Sequence, residues 1–219
     1  SSIPVISPFS SNSTSVPAYP SLLSFTKASH LYKYLHYVFP DRPKHKLELL
    51  WESEFQHTFS PSTWSAVWQM LHRTSCNAST TQTLYFFYNR LFLTPISMCK
   101  FNPSLTSSCW TCGCASGTFL HMFFQCPPIK SFWIKVCKII SSIWDVPFTF
   151  DIVSLFLGGA SPKWIGVRHK GKFVDLMVAI AFQVITTNWK NAHNVTIMAL
   201  WNLLYHHRLD IASATSTKH

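Results

Sequence analysis

Cys109, Cys112, His121 and Cys126 stand in the pattern C-x2-C-x8-H-x4-C. Three soft sulfurs and one imidazole so close along the chain suit a four-coordinate zinc ion. Gly113 follows the second cysteine and can take the positive φ of a tight knuckle, turning backbone N–H groups toward the thiolates. Thr118 reads as the N-cap of a short helix, which puts His121 in its first turn. His121 and Cys126 are five apart, the wrong spacing for one face of an α-helix. Pro127 supplies the resolution, because the residue before a proline is driven out of the α region. Cys126 is therefore expected to leave the helix and curl back toward His121.

Two alternatives stay open at this level. Cys114 can replace Cys112 as a ligand or stand as a spare thiol beside the site. Cys109 and Cys112 also form a C-x2-C pair, which in a βαβ setting is a redox dithiol. The added histidine and fourth cysteine favour a structural zinc. No carboxylate lies in the loop to serve a catalytic one, and no coordination position is left open.

The elements that must position these ligands read as helices. The 219 residues are 47% hydrophobic and 12% charged, with nine Trp and eighteen Phe. So much apolar surface suggests a piece of something larger, with faces meant for a partner. Residues 1–22 are Ser/Pro-rich and read as a disordered or loop lead-in. Apolar spacing predicts helices over 26–38, 46–57 and from Pro61, the last capped by Ser60, with a polar break at Ser75 to Ser79. On the second, Leu47, Leu50, Trp51 and Phe55 form the apolar side, with Glu48, Glu52 and Glu54 mostly off it. An aromatic helix is expected from Thr80 to Leu93, and Thr94-Pro95 caps a short one. After the cysteine loop, Ile129, Phe132, Trp133, Val136 and Ile140 mark a helix over 128–143. Residues 150–157 fit helix or strand. A long helix carrying Phe173, Leu176, Met177, Ile180, Val184 and Ile185 follows a basic loop. A last one, from about 194 to 207, uses Ile197, Met198, Trp201, Leu204 and Tyr205 as its stripe. The tail from 212 to 219 is polar and is expected to fray. The fold class is thus mostly α, a helical domain with an inserted zinc-knuckle-like loop and few or no strands. Its segments are 23–105, 106–145 (loop and following helix) and 146–211.

The net charge is +10 with neutral histidines, which makes nucleic acid the leading partner class. Seven cysteines clustered around a histidine argue for a reducing compartment with metal, not a disulfide framework. No apolar run approaches the roughly eighteen residues of a membrane span. Candidate phosphate contacts are Lys130, Lys135 and Lys138 beside the loop, and Arg168, Lys170 and Lys172 further on. Trp110, between two ligands, can stack on a base or pack beneath the site.

Taken in order, Phe87-Tyr88-Asn89-Arg90-Leu91-Phe92-Leu93-Thr94-Pro95, the Cys-Trp-x-Cys loop, Gly117-Thr118-Phe119-Leu120-His121, Cys126-Pro127 and Phe132-Trp133 resemble a known segment. It is the carboxy-terminal cysteine-rich part of the reverse-transcriptase polyprotein of vertebrate LINE-type (non-LTR) retrotransposons. The resemblance spans roughly residues 25 to 205. It implies zinc on Cys109, Cys112, His121 and Cys126, with Cys114 outside the pattern. It also implies contact with RNA, with DNA as a second target, in cytoplasm and nucleus, beside a reverse-transcriptase domain. No two aspartates are adjacent and the acids are few, so neither the family's polymerase nor its endonuclease site is expected here, and the chain reads as a non-enzymatic fragment. The rival reading is a scaffold whose aromatic helices dock on that polymerase domain without touching nucleic acid.

Overall fold

The computed structural model describes the backbone of residues 44–73, 78–161 and 168–216, and the side chains of 44–70, 78–161 and 170–207. The expected lead-in at 1–22, the helix at 26–38 and most of the break at Ser75 to Ser79 lie outside these residues. The protein is mostly α, and among the described residues there is no strand. Among the described residues eight α-helices follow in order: α1 (Lys46–Phe55), α2 (Pro61–Arg73), α3 (Ala78–Tyr88), α4 (Pro95–Phe101), α5 (Pro127–Trp144), α6 (Ile152–Leu157), α7 (Arg168–Thr187) and α8 (Ile197–Ser216). None is long and apolar enough to cross a membrane.

The hub is α7. From Val174 to Ile185 nearly every residue is buried, including Asp175, so the helix is covered all round and not only along a stripe. It packs against α3, α5, α8 and the short 3-10 turn Gly158–Ala160. The Gly159 N–H donates to Asp175 Oδ1 at 2.7 Å, which ties that turn to the hub. Around α7 the aromatic rings lock together. Phe87 of α3 stacks on Phe182 at 4.0 Å, and Trp51, Phe119, Phe123 and Phe156 close the cluster. The Tyr88 hydroxyl donates to the Phe156 carbonyl at 2.7 Å, and burial together with the nearby Asp175 charge holds that phenol well above its ordinary range.

The start of α2 is as expected: Ser60 Oγ accepts from the Thr63 N–H, with Pro61 opening the helix. Residues 150–157 resolve as helix because Asp151 accepts from the Ser154 N–H and caps α6. Ile129, Phe132, Trp133, Val136 and Ile140 all face the core from α5.

Four expectations need correction. The buried side of α1 carries its acids. Glu48 and Glu52 are buried while Leu50 is exposed, because Trp68 and Trp64 of α2 point indole N–H groups at the two carboxylates, each 3.0 Å away. A buried indole needs an acceptor more than an aliphatic neighbour. Next, α3 stops at Tyr88, not Leu93. The Leu91 N–H reaches Phe86 O and the Arg90 N–H reaches Phe87 O, a Schellman ending with Arg90 at φ 56°. Third, Arg168, His169, Lys170 and Lys172 belong to the first turn of α7 and not to a loop before it. Last, α8 is rotated from the expected stripe. Leu200 and His207 are buried, whereas Met198, Trp201 and Tyr205 are exposed, and its backbone runs helically to Ser216. The two polar groups explain the rotation: Thr80 Oγ1 lies 2.8 Å from His207 Nε2 and also donates to Gln183 at 2.8 Å, so a polar network draws that side of α8 inward.

Candidate metal centre

The loop between α4 and α5 is built on contacts that its sequence dictates. Thr94 caps α4 in a reciprocal pair with Ser97, and Pro95 opens the helix. The Pro95 ring lies directly under Gly117: a Cβ there would meet Pro95 Cγ at 2.5 Å, so no larger residue fits. The Gly117 N–H donates to Ser107 O at 2.8 Å, and the Ile96 N–H donates back to Gly117 O at 3.5 Å. The two ends of the loop are thereby held at the head of α4.

Within that frame the chain makes its knuckle. The Gly113 N–H donates to Cys109 O at 3.0 Å, and the Cys109 N–H donates to Cys114 O at 2.8 Å. Gly113 has φ 69° with open space where a Cβ would be, so the demand on it is conformational and not steric. Thr118 Oγ1 accepts from the His121 N–H at 3.0 Å, the cap expected from sequence.

From His121 to Gln125 the chain forms a π turn, which sequence reading did not anticipate. The Cys126 N–H bonds to His121 O at 2.8 Å, five residues back. In an α-helix two residues five apart point about 140° away from each other. The wider turn, followed by the exit of Cys126 at φ −55°, ψ 129°, brings them to one side. Pro127 and Pro128 offer no N–H to the carbonyl of Phe123, which would be left bare. The Trp133 indole fills the gap, donating to Phe123 O at 2.7 Å. Phe119, Phe123 and Phe124 meanwhile anchor the turn in the aromatic core.

The result is a cluster. Cys109 Sγ, Cys112 Sγ, a His121 ring nitrogen and Cys126 Sγ all lie within 4.8 Å of one another, a candidate metal site. The two sulfurs of Cys109 and Cys126 are 3.8 Å apart, and Cys112 Sγ is 3.2 Å from His121 Nε2. Cys109, His121 and Cys126 are buried, and Cys112 is exposed at the rim. The exposed thiol of Cys114 is outside the cluster, so among the two candidates it is Cys112 that joins it.

The electrostatics favour a cation. Burial would raise the Cys109 thiol, but the backbone N–H groups of Cys112 and Thr111, with the side chains of Cys112 and Cys126, outweigh it and lower it. Burial and the charge of Cys109 push Cys126 well above the ordinary thiol range. Without a metal, only one of this pair ionises readily. Burial also lowers His121, which keeps its imidazole in the neutral, ligating form at neutral pH.

The other expected residues are placed as follows. Trp110 is half-buried, its ring edge-on to Trp189 at 6.4 Å. Lys130, Lys135 and Lys138 are exposed along the solvent face of α5, which starts one residue after Cys126. Lys172 is exposed, while Lys170 is half-buried with Nζ 5.3 Å from the Trp144 ring. Arg168 opens α7, but its side chain lies outside the described residues. Sequence reading missed Lys190, whose Nζ lies 5.9 Å from the Trp110 ring. Nothing local signals that meeting, since eighty positions separate the two.

Among the described side chains the charges are segregated. Glu48, Glu52 and Asp175 are buried, Glu54 is bound to Arg90, and only Asp145 and Asp151 are exposed acids. Lys46, Lys100, Lys130, Lys135, Lys138, Lys172 and Lys190 are all exposed. No family model matches the chain.

Proposed function

We propose that the protein is a zinc-stabilised nucleic-acid-binding module. It would correspond to the carboxy-terminal segment of a LINE-type reverse transcriptase, without a polymerase or endonuclease centre of its own. The observation that carries this reading is the convergence of three thiol sulfurs and one imidazole nitrogen at the head of α5, whose solvent face then displays Lys130, Lys135 and Lys138. The donor set fits zinc. With Zn–S near 2.3 Å, two thiolates on a tetrahedron stand about 3.8 Å apart. The Cys109–Cys126 separation is 3.8 Å. All four positions are taken, so the ion's part is structural: it neutralises thiolates that would otherwise repel, and fixes α5 to the loop. A surface with exposed lysines and few exposed acids supports the nucleic-acid half.

A second reading, a scaffold docking on a reverse-transcriptase domain, is favoured by one observation. Leu91, Leu93, Phe101 and Leu105, all around α4, are exposed, Phe101 by 81%. Salt dependence separates the two. If lysines of α5 contact phosphates, the log of affinity for single-stranded RNA falls with log salt, by about 0.7 per phosphate contacted. The triple variant Lys130→Ala/Lys135→Ala/Lys138→Ala then has a slope shallower by about 2. RNA affinity that is absent, or insensitive to salt, contradicts the nucleic-acid reading and favours the scaffold.

A further inference from the structure

A cleft of about 310 Å³ lies between the first turns of α5 and the segment joining α7 to α8. Its lining is mixed: Pro128, Phe132, Val195 and Met198 give apolar walls, and Ser131, Thr196, Lys135 and His193 bring polar groups to it. No acid lines it. Its volume is at the small end of ligand sites, suited to one planar group and not to an extended chain. It opens two residues beyond the metal ligand Cys126.

Met198 belongs to the cleft and also to the exposed stripe of α8. Met198, Trp201 and Tyr205 fall within about 60° of one another around the helix, and Tyr205 lies about 10 Å along the axis from Met198. They are 68%, 44% and 61% exposed. A helix in a water-soluble domain ordinarily turns such residues inward. Here the inward side is taken by Leu200 and His207. The stripe is narrow and bordered by exposed Asn202 and His206, with the His206 ring 6.0 Å from that of Tyr205. Flat rings on a narrow face, continuous with a cleft of mixed polar and apolar lining that has a lysine at its edge, match the needs of unpaired bases. Bases stack on aromatic rings whatever their identity, while the cation holds the backbone. The lack of any acid in the cleft lining, on a described surface where exposed lysines outnumber exposed acids, favours a polyanion over a protein partner.

We propose that the cleft and the adjoining α8 face form a seat for unpaired nucleotides of a single-stranded nucleic acid. One base enters against Phe132 and Met198, its phosphate meets Lys135, and neighbouring bases stack on Trp201 and Tyr205. This rests on the nucleic-acid reading above and adds to it a requirement for exposed bases, which phosphate contact alone does not impose.

The test uses the full metal-loaded chain and three labelled RNAs: a single strand of about twelve nucleotides, a range such sites cover, the same strand with its bases removed, and a duplex. The wild type should bind the intact strand at least about tenfold tighter than the abasic strand, with quenching of indole fluorescence. Trp201→Ala/Tyr205→Ala should lose about tenfold on the intact strand and almost nothing on the abasic strand or the duplex. Trp201→Leu keeps apolar bulk without a stacking ring, and should lose affinity in the same direction. Equal binding of intact and abasic strands overturns the seat and leaves the basic module standing. So does unchanged affinity in a double variant with wild-type circular dichroism, which would assign the face to a protein partner. No binding of any of the three RNAs overturns the seat and the nucleic-acid reading together.

Discussion

At the scale of single residues, the site is decided by which sulfur turns inward. Cys112 and Cys114 flank Gly113, and the positive φ there sends them in different directions: Cys112 to within 3.2 Å of His121, Cys114 to solvent. Cys114 serves the loop through its carbonyl instead, accepting from the Cys109 N–H. Substituting cobalt(II) for zinc makes the assignment visible, because each thiolate ligand adds to the near-ultraviolet charge-transfer band. Cys112→Ser should reduce that band by about a third, from three thiolates to two, and weaken metal binding; Cys114→Ser should leave both as in the wild type. The reverse pattern would make Cys114 the ligand. The clustering of Cys109, Cys112, His121 and Cys126 was legible in the sequence because their spacing is local and the backbone constraints lie in the same stretch: Gly113 at the knuckle, Thr118 at the cap, Pro127 after Cys126. The Trp110–Lys190 pair was not legible, since only the folded chain brings the two together.

At the scale of elements, apolar periodicity located most of the helices but gave the buried side of two of them only in part: Trp51 and Phe55, and Ile197 and Leu204, do pack on the core. In α1 and α8 the buried side carries polar groups with dedicated partners, indoles for Glu48 and Glu52, Thr80 for His207. Periodicity weighs only apolar residues and cannot see that pairing. The early end of α3 was hidden for a related reason. An arginine in the left-handed region is not a stop signal in sequence, where glycine is expected. Its compensation is tertiary. Arg90 makes a two-pronged ion pair with Glu54, at 2.8 and 2.6 Å, and its guanidinium lies 4.5 Å from the rings of both Trp51 and Phe119. The pair is mostly shielded, 13% and 29% exposed. The same junction has the Trp51 indole donating to Tyr88 O at 3.1 Å. Arg90 thus joins α1, the end of α3 and the residue that follows the Thr118 cap. A lysine keeps the charge but not the planar fork or the stacking. Arg90→Lys should therefore cost about 2 kcal/mol in urea unfolding of the metal-loaded protein, between the values of exposed and fully buried pairs. A loss within about 0.5 kcal/mol, the range of ordinary surface changes, would show that the junction is held by its aromatic packing alone.

At the scale of the whole molecule, the fold separates its charges. Among the described side chains four acids are spent on indole, backbone and arginine partners, Asp145 and Asp151 face solvent, and most of the lysines are exposed. The described surface therefore carries more exposed lysines than exposed acids. The α7 hub and its aromatic shell form the core, and the cysteine loop is attached to it through Phe119, Phe123 and Trp133. The zinc proposed for this cluster would have a thermodynamic role: binding to the folded loop would be part of the folding free energy. The most direct test is the zinc content of the purified, reduced protein, measured beside Cys126→Ser. The account predicts about one equivalent per chain, and its loss in the variant together with loss of loop structure and lower resistance to unfolding. No bound zinc in the parent, with the variant folded as well as the parent, would contradict it.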